Sequence, residues 1–384
     1  MLDLALSATN PCHLYSLAEA VAQQGEQVTF YSGYPRWRLR PPFSARMKTH
    51  SLRTCITYGL LRLPTAIRPS NRTLFLWQDR HFDHWASQQL GHHDFVHAMP
   101  GQAARTFSRA KSLNVRTVLN HATGPSIRWV DIMQREYDRV GLNLEKRTVY
   151  NSAYFKQEEK EYALADYHCV ASTLVRDQLV DLGIPLAKIW LVGYGAEPNL
   201  FYRASAKTSG VFRILFAGNL SLRKGIRTLL HALELAGSPN WHLDFYGHVS
   251  EEAKTDIATY RGTVPVRFHG AVKQNVLAEA MRAASVLVLP SLEEGFGLVV
   301  VQALACGTPC LVSDRVGAGD LITQRENGSI FKVGDAAALA DELKFWASQN
   351  IIVAGDYSWT GPALQLIAAS RQAMAASNQA ALSA

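Results

Sequence analysis

The chain has 384 residues, 48% of them apolar and 18% charged. Single cores stop growing at roughly 250–300 residues, so two domains are expected, and the composition excludes a disordered or fibrous chain. The formal net charge of +7 is unevenly placed, because no acidic residue lies between Glu26 and Asp79. That window holds Arg36, Arg38, Arg40, Arg46, Lys48, Arg53, Arg62, Arg68 and Arg72, which together exceed the whole net charge. An anionic partner is expected there. No apolar run of ~18 residues suggests a membrane-spanning helix. Met1-Leu2-Asp3-Leu4 lacks the basic region and apolar stretch of a secretory leader. The cysteines (Cys12, Cys55, Cys169, Cys306, Cys310) are odd in number and scattered. A reducing, cytoplasmic setting is therefore expected, with no disulfide framework and no metal site at Cys306 and Cys310.

In chain order, residues 4–7 read as a strand, Asn10-Pro11 as a turn, and Leu14, Leu17, Ala18 and Val21 as one face of a helix. Gly25 ends that helix before a strand at residues 28–31. The alternation continues with a strand at 95–98, a helix at 103–110 and a strand at 116–120. One long helical run from Ile127 to Tyr162 follows, then a strand at 168–171, a helix at 173–182 and a strand at 189–192. Residues 204–210 are small, polar and aperiodic, so they read as a linker. Beyond it come strands at 213–217, 241–246, 266–269, 286–289 and 309–312, with helices at 226–235, 275–284 and 299–305 between them. Two βα series imply an α/β fold of two Rossmann-like, doubly wound domains facing a cleft. Their expected bounds are residues 1–203 and 204–362, with residues 363–384 as a terminal helix and frayed tail.

Two strand-to-helix loops carry the chemistry. In Pro290-Ser291-Leu292-Glu293-Glu294-Gly295-Phe296-Gly297-Leu298-Val299, glycines at the turn let backbone amides approach an anion, and the helix start adds partial positive charge. Glu294 can accept hydrogen bonds from sugar hydroxyls, and Gln302 lies two turns along the same helix. In Gly218-Asn219-Leu220-Ser221-Leu222-Arg223-Lys224-Gly225, two adjacent cations suit a diphosphate.

Together these loops resemble the retaining nucleotide-sugar glycosyltransferases of family four, the group 1 glycosyltransferases, which have the GT-B fold. The resemblance extends to Ala165-Asp166 with Ala171-Ser172, to residues 193–201, to Phe268-His269-Gly270-Ala271-Val272 and to Ala303-Leu304-Ala305-Cys306-Gly307-Thr308-Pro309. It implies that Arg223 and Lys224 hold the donor diphosphate and offset leaving-group charge. Glu294 would lie beside the donor sugar. Gly218, Asn219, Gly295, Phe296, Gly297, Leu298 and Val299 would line the diphosphate and hydroxyls, and Gly270 and Val272 the base. Gln302 stands where the family has a second glutamate for the ribose, and Asn219 where it usually has arginine; both changes bear on the donor more than on the reaction. The implied chemistry is retention with front-face attack, without a metal or other cofactor. The implied setting is cell-envelope or exopolysaccharide biosynthesis, and the acceptor a glycan or a lipid-linked sugar.

In the N-terminal half, His121 follows a strand and precedes Ala122-Thr123-Gly124-Pro125. It is expected to face the cleft and touch the acceptor or a sugar hydroxyl. Glu136 and Tyr137 read as ordinary helix-face residues. Tyr34-Pro35-Arg36-Trp37-Arg38-Leu39-Arg40-Pro41-Pro42-Phe43 interleaves arginines with aromatics. The window from Arg36 to Arg72 therefore suits an anionic membrane surface, on the inner face of the plasma membrane, better than nucleic acid. A nucleotide-sugar epimerase, a phosphorylase and a non-catalytic relative are the other readings of the same architecture.

Overall fold

The computed structural model describes all residues except 40–45, 65–66, 146–147, 149, 204–209, 239, 350 and 384. Arg40, Pro41, Pro42 and Phe43 and most of the expected linker therefore lie outside the described residues. The first sheet follows the chain as β1 (Asp3–Ala8), α1 (His13–Gln23), β2 (Gln27–Ser32), β3 (Arg46–Thr49), α2 (Leu52–Leu60), α3 (Asn71–Gln89), β4 (Phe95–Ala98), α4 (Ala104–Ser112) and β5 (Arg116–His121). It continues with α5 (Ser126–Arg139), α6 (Ser152–Leu164), β6 (Tyr167–Val170), α7 (Thr173–Asp181) and β7 (Ile189–Leu191). The second sheet uses β8 (Phe212–Ala217), α8 (Ile226–Ala236), β9 (Trp241–Tyr246), α9 (Lys254–Thr259), β10 (Val266–Gly270), α10 (Gln274–Ala283) and β11 (Val286–Leu289). It closes with α11 (Leu298–Ala305), β12 (Cys310–Ser313), β13 (Gly328–Phe331) and α12 (Ala336–Ala347), before a final helix, α13 (Thr360–Ser383).

The strand orders are β3-β2-β1-β4-β5-β6-β7 and β10-β9-β8-β11-β12-β13, all parallel. Strands such as β11, Val-Leu-Val-Leu, are apolar on both faces because helices cover both sides of a parallel sheet. In each sheet the order reverses once, between β1 and β4 and between β8 and β11. Crevices open at such switch points, at the strands' carboxyl ends. The loops after β8 and β11 are the two that carry the cations and Glu294. The largest buried cluster runs through both domains, from Leu4 and Phe30 to Leu289 and Val300.

Two segments depart from the sequence reading. The helical run from Ile127 to Tyr162 is two helices, α5 and α6, because the chain leaves helix at Val140-Gly141 and starts again from Asn151, whose side chain caps the Tyr154 amide. The terminal helix runs on to Ser383, in keeping with its alanine content. It packs along α1, where Arg371 pairs with Glu26 at 2.5 Å, and Gln365 accepts from the Gly193 amide at 3.0 Å.

Candidate functional site

Arg223 and Lys224 stand at the end of the loop after β8, and Glu293 and Glu294 on the loop after β11. The loops are pressed together. Gly225, left-handed at φ +69°, lies so near the Pro290 carbonyl that a Cβ would sit 1.9 Å from its oxygen. The Leu292 amide donates to the Arg223 carbonyl at 2.8 Å. The Arg223 guanidinium donates to the Glu293 carbonyl at 2.8 Å and to its carboxylate at 3.2 Å, and reaches Glu294 at 3.4 Å. The Lys224 ammonium pairs directly with Glu294. Both side chains of that pair are largely buried, at 13% and 14% exposure.

Burial raises the Glu294 carboxyl, but Lys224 and Arg223 outweigh it and hold the group below its ordinary value. Glu293 differs: burial keeps it above the ordinary range despite Arg223. Burial also lowers Lys224, which Glu294 only partly offsets. The result is a desolvated cluster of two cations and two carboxylates, with Glu294 ionised at neutral pH. Next to it, the first amides of α11 have no carbonyl within the helix to bond. Gly297, its left-handed cap, lies against Glu294, whose Cγ would be 3.3 Å from a Cβ built there, so the helix start borders the cluster.

The N-terminal domain completes the site. A Cβ on Gly295 would fall 2.6 Å from the Thr123 Cα, so only glycine lets the loop after β5 approach. The Gly295 carbonyl accepts from Ser172 Oγ at 2.7 Å, and Phe296 packs on Tyr194, which stacks on His13. Tyr150 lies among Glu293, Glu158 and Arg223; burial, with those carboxylates, pushes its hydroxyl up to about 12. Thr123, Tyr150, Ser172, Tyr194 and Glu293 were not picked out as site residues from the sequence. Ser172 and Tyr194 lie in segments that carry the family resemblance, and Glu293 has a signal of its own in its place beside Glu294.

The expected base-side residues form a row of glycines. The Gly218 amide donates to Tyr246, and the Gly247 amide to Gly270, both at 2.8 Å. Gly247 links Gly218 and Gly270 across the carboxyl ends of β8, β9 and β10. Asn219 is exposed beside them, Val272 half-buried beyond them, and Gln302 half-buried on α11. His121 departs from expectation. It is still within β5, and strand alternation turns its ring into the domain, where Nε2 lies 3.0 Å from His168 Nδ1 under the edge of Tyr162. Burial lowers its pKa well below the ordinary value. The residues that follow it, Ala122 and Thr123, make the contact with Gly295 instead.

Residues 201–354 match the family model of the group 1 glycosyl transferases. That stretch contains every residue of the two loops, the glycine row and Gln302. Glycosyltransferases are among the curated proteins it resembles. The chain is 24% identical over 214 residues to the lipopolysaccharide 1,6-galactosyltransferase of Escherichia coli K12, covering 53% of this chain and 59% of that protein. It is 28% identical over 180 residues to the amylovoran biosynthesis glycosyltransferase AmsK of Erwinia amylovora, covering 44% of each. These matches thus span about half the length of the relatives. Among solved structures, it superposes on sucrose-phosphate synthase from Thermosynechococcus elongatus at a TM-score of 0.65 and 20% identity, covering 98% of this chain and 100% of that one. It superposes on the lipopolysaccharide glycosyltransferase WaaG at 0.62 and 16%, covering 95% and 98%, and on Anabaena HepE in complex with UDP at 0.61 and 15%, covering 99% and 100%. The fold is GT-B.

Proposed function

We propose that this chain is a retaining glycosyltransferase that moves a sugar from a nucleotide diphosphate to a glycan or lipid-linked acceptor in envelope or exopolysaccharide assembly. One observation carries the reading: Arg223 and Lys224 converge with Glu294, beside the start of α11, in a largely buried cluster on the loops at the switch point of the second sheet. A diphosphate entering there takes over the two cations, as forked bonds from Arg223 and a point charge from Lys224. Charge that develops on the leaving group is then met by groups already in place. Glu294, released from Lys224, accepts from the sugar hydroxyls. Charge offset falls to side chains, so donor binding proceeds without a metal and the rate survives a chelator. Retention follows from the family resemblance.

The exposed apolar side chains of the basic window, Trp37 at 76% and Ile67 at 71%, lie among Arg36, Arg38, Arg62 and Arg68. They support docking on an anionic membrane, where arginines meet headgroups and Trp37 inserts shallowly. No helix among the described residues is long and apolar enough to cross a membrane. Cosedimentation with phosphatidylglycerol vesicles, and its absence with phosphatidylcholine, is the expected result.

Transfer assays with a nucleotide-sugar panel and crude lipid extract test the main reading. Lys224→Ala and Glu294→Ala should each lower turnover at least ~100-fold, the scale of losing one transition-state electrostatic contact. Near-native rates in both variants would refute the site, and an inverted product anomer would refute retention.

A further inference from the structure

A second cationic site lies on the N-terminal domain, outside the crevice that holds Lys224. The face of α3 carries Trp77, Arg80, His81 and His84 at helical spacing, and Arg72 one turn earlier. The first turn of α4 adds Arg105, and a cleft of about 470 Å³ opens between them. Small-molecule sites span roughly 300–1,000 Å³.

No carboxylate lines this cleft, and among the described residues neither Arg80 nor Arg105 has one within ion-pair distance. The nearest candidate, Asp83, is buried and spends its oxygens on the Arg105 and Thr106 amides at 2.8 and 2.9 Å. Among the described residues, the Arg105 guanidinium's hydrogen bond goes to the ring nitrogen of His84, at 2.9 Å. Arg53 lies over the Trp77 ring, adding a further cation at the rim. Burial, then Arg53, His84 and Arg105, hold His81 below its ordinary value. Cations crowded on a rigid helix face, with the buried Asp83 behind Arg105 as counter-charge and no carboxylate in the cleft itself, are stabilised by a multivalent anion.

The cleft borders the catalytic cluster along the chain. Asn151 lines it, and the preceding residue, Tyr150, is the one whose hydroxyl feels Glu293 and Arg223. Arg72 also fastens this connection, donating to the Glu145 and Thr148 carbonyls at 3.1 and 2.8 Å.

We propose that the cleft formed by Arg72, Arg80, His81, His84 and Arg105 binds a phosphoryl or diphosphoryl group carried by the acceptor. The word acceptor rests on the transferase reading; the anion site itself does not. The binding test therefore uses inorganic pyrophosphate, in Lys224→Ala protein so that the donor crevice is disabled. Calorimetric titration should show saturable binding that Arg80→Gln with Arg105→Gln weakens at least ~10-fold, the scale for losing charged hydrogen bonds. Arg80→Lys with Arg105→Lys should keep part of the affinity. Both arginines are exposed, and unchanged melting of the variants confirms that the fold is intact.

In otherwise native enzyme, the Gln pair should raise the acceptor KM at least ~10-fold and leave the donor KM unchanged. Phosphatidylglycerol vesicles that compete with pyrophosphate would identify the source as a lipid headgroup; vesicles that do not compete would identify it as the acceptor's own phosphate. No binding to Lys224→Ala protein, or equal binding with and without the Gln pair, overturns the proposal. Pyrophosphate binding without any sugar transfer would leave the anion site standing and remove the transferase reading.

Discussion

Gly225 is fixed by contact as well as by its backbone angle: its hydrogen faces the Pro290 carbonyl where a methyl group cannot fit. Gly225→Ala should therefore cost more than ~1 kcal/mol, beyond the usual scale for a glycine at positive φ. A melting point lower by several degrees and weakened donor binding should appear together, because the same contact joins the two loops. Asp79 offers a separate, pH-dependent test. Burial raises its carboxyl to about 7, against help from Thr9, and Oδ1 has no partner among the described residues. The folded state thus holds a proton that the unfolded chain releases near its ordinary value. Stability from this group is full below that value and is lost as pH rises through about 7. The slope is at most about 1.4 kcal/mol per pH unit. Asp79→Asn, which mimics the protonated form, should exceed wild type in melting point by more at pH 8 than at pH 5; an equal difference at both would contradict it. Glu294 and Lys224 were legible as site residues because each sits in a short loop with glycine. His121 was not, because nothing in its neighbours shows which face of β5 is covered.

At the scale of elements, the strand-to-helix loops of the second sheet were legible because the apolar strands β8 and β11 end abruptly in glycine, serine and charge. Edge strand β3, Arg-Met-Lys-Thr, was not, since an edge needs no apolar alternation. The break between α5 and α6 is not legible because Val140 and Leu144, in the segment between them, keep the apolar i, i+4 spacing of a helix. The last helix is a strap of one domain's chain on the other: Ala363, Leu366 and Ile367 are buried, and Arg371 reaches Glu26. Removing residues 360–383 should expose that apolar strip and lower the melting point of the N-terminal domain, read by tryptophan fluorescence. An unchanged melt would show that α13 merely rests on α1.

For the whole molecule, the two domains meet through specific polar contacts. Tyr137 of α5 donates to Glu252, whose other oxygen accepts from the Leu222 amide at 3.0 Å, next to Arg223. Asp320 caps α7, accepting from the Thr173 amide at 2.7 Å and its hydroxyl at 2.6 Å. A helix-face tyrosine in the sequence is thus a brace for the cationic loop, a role only the juxtaposed domains reveal. Tyr137→Phe with Asp320→Ala should loosen this junction, seen as a larger radius of gyration in X-ray scattering and a higher donor KM. No change in either would mean that apolar packing alone holds the domains.

The convergence of Arg223, Lys224 and Glu294 on a donor diphosphate is tested most directly by calorimetric titration of nucleotide sugars into native and Lys224→Ala protein. At least one nucleotide diphosphate sugar should bind the native chain, with affinity falling at least ~10-fold in the variant. Binding by none of them, or equal binding by both proteins, would contradict the account.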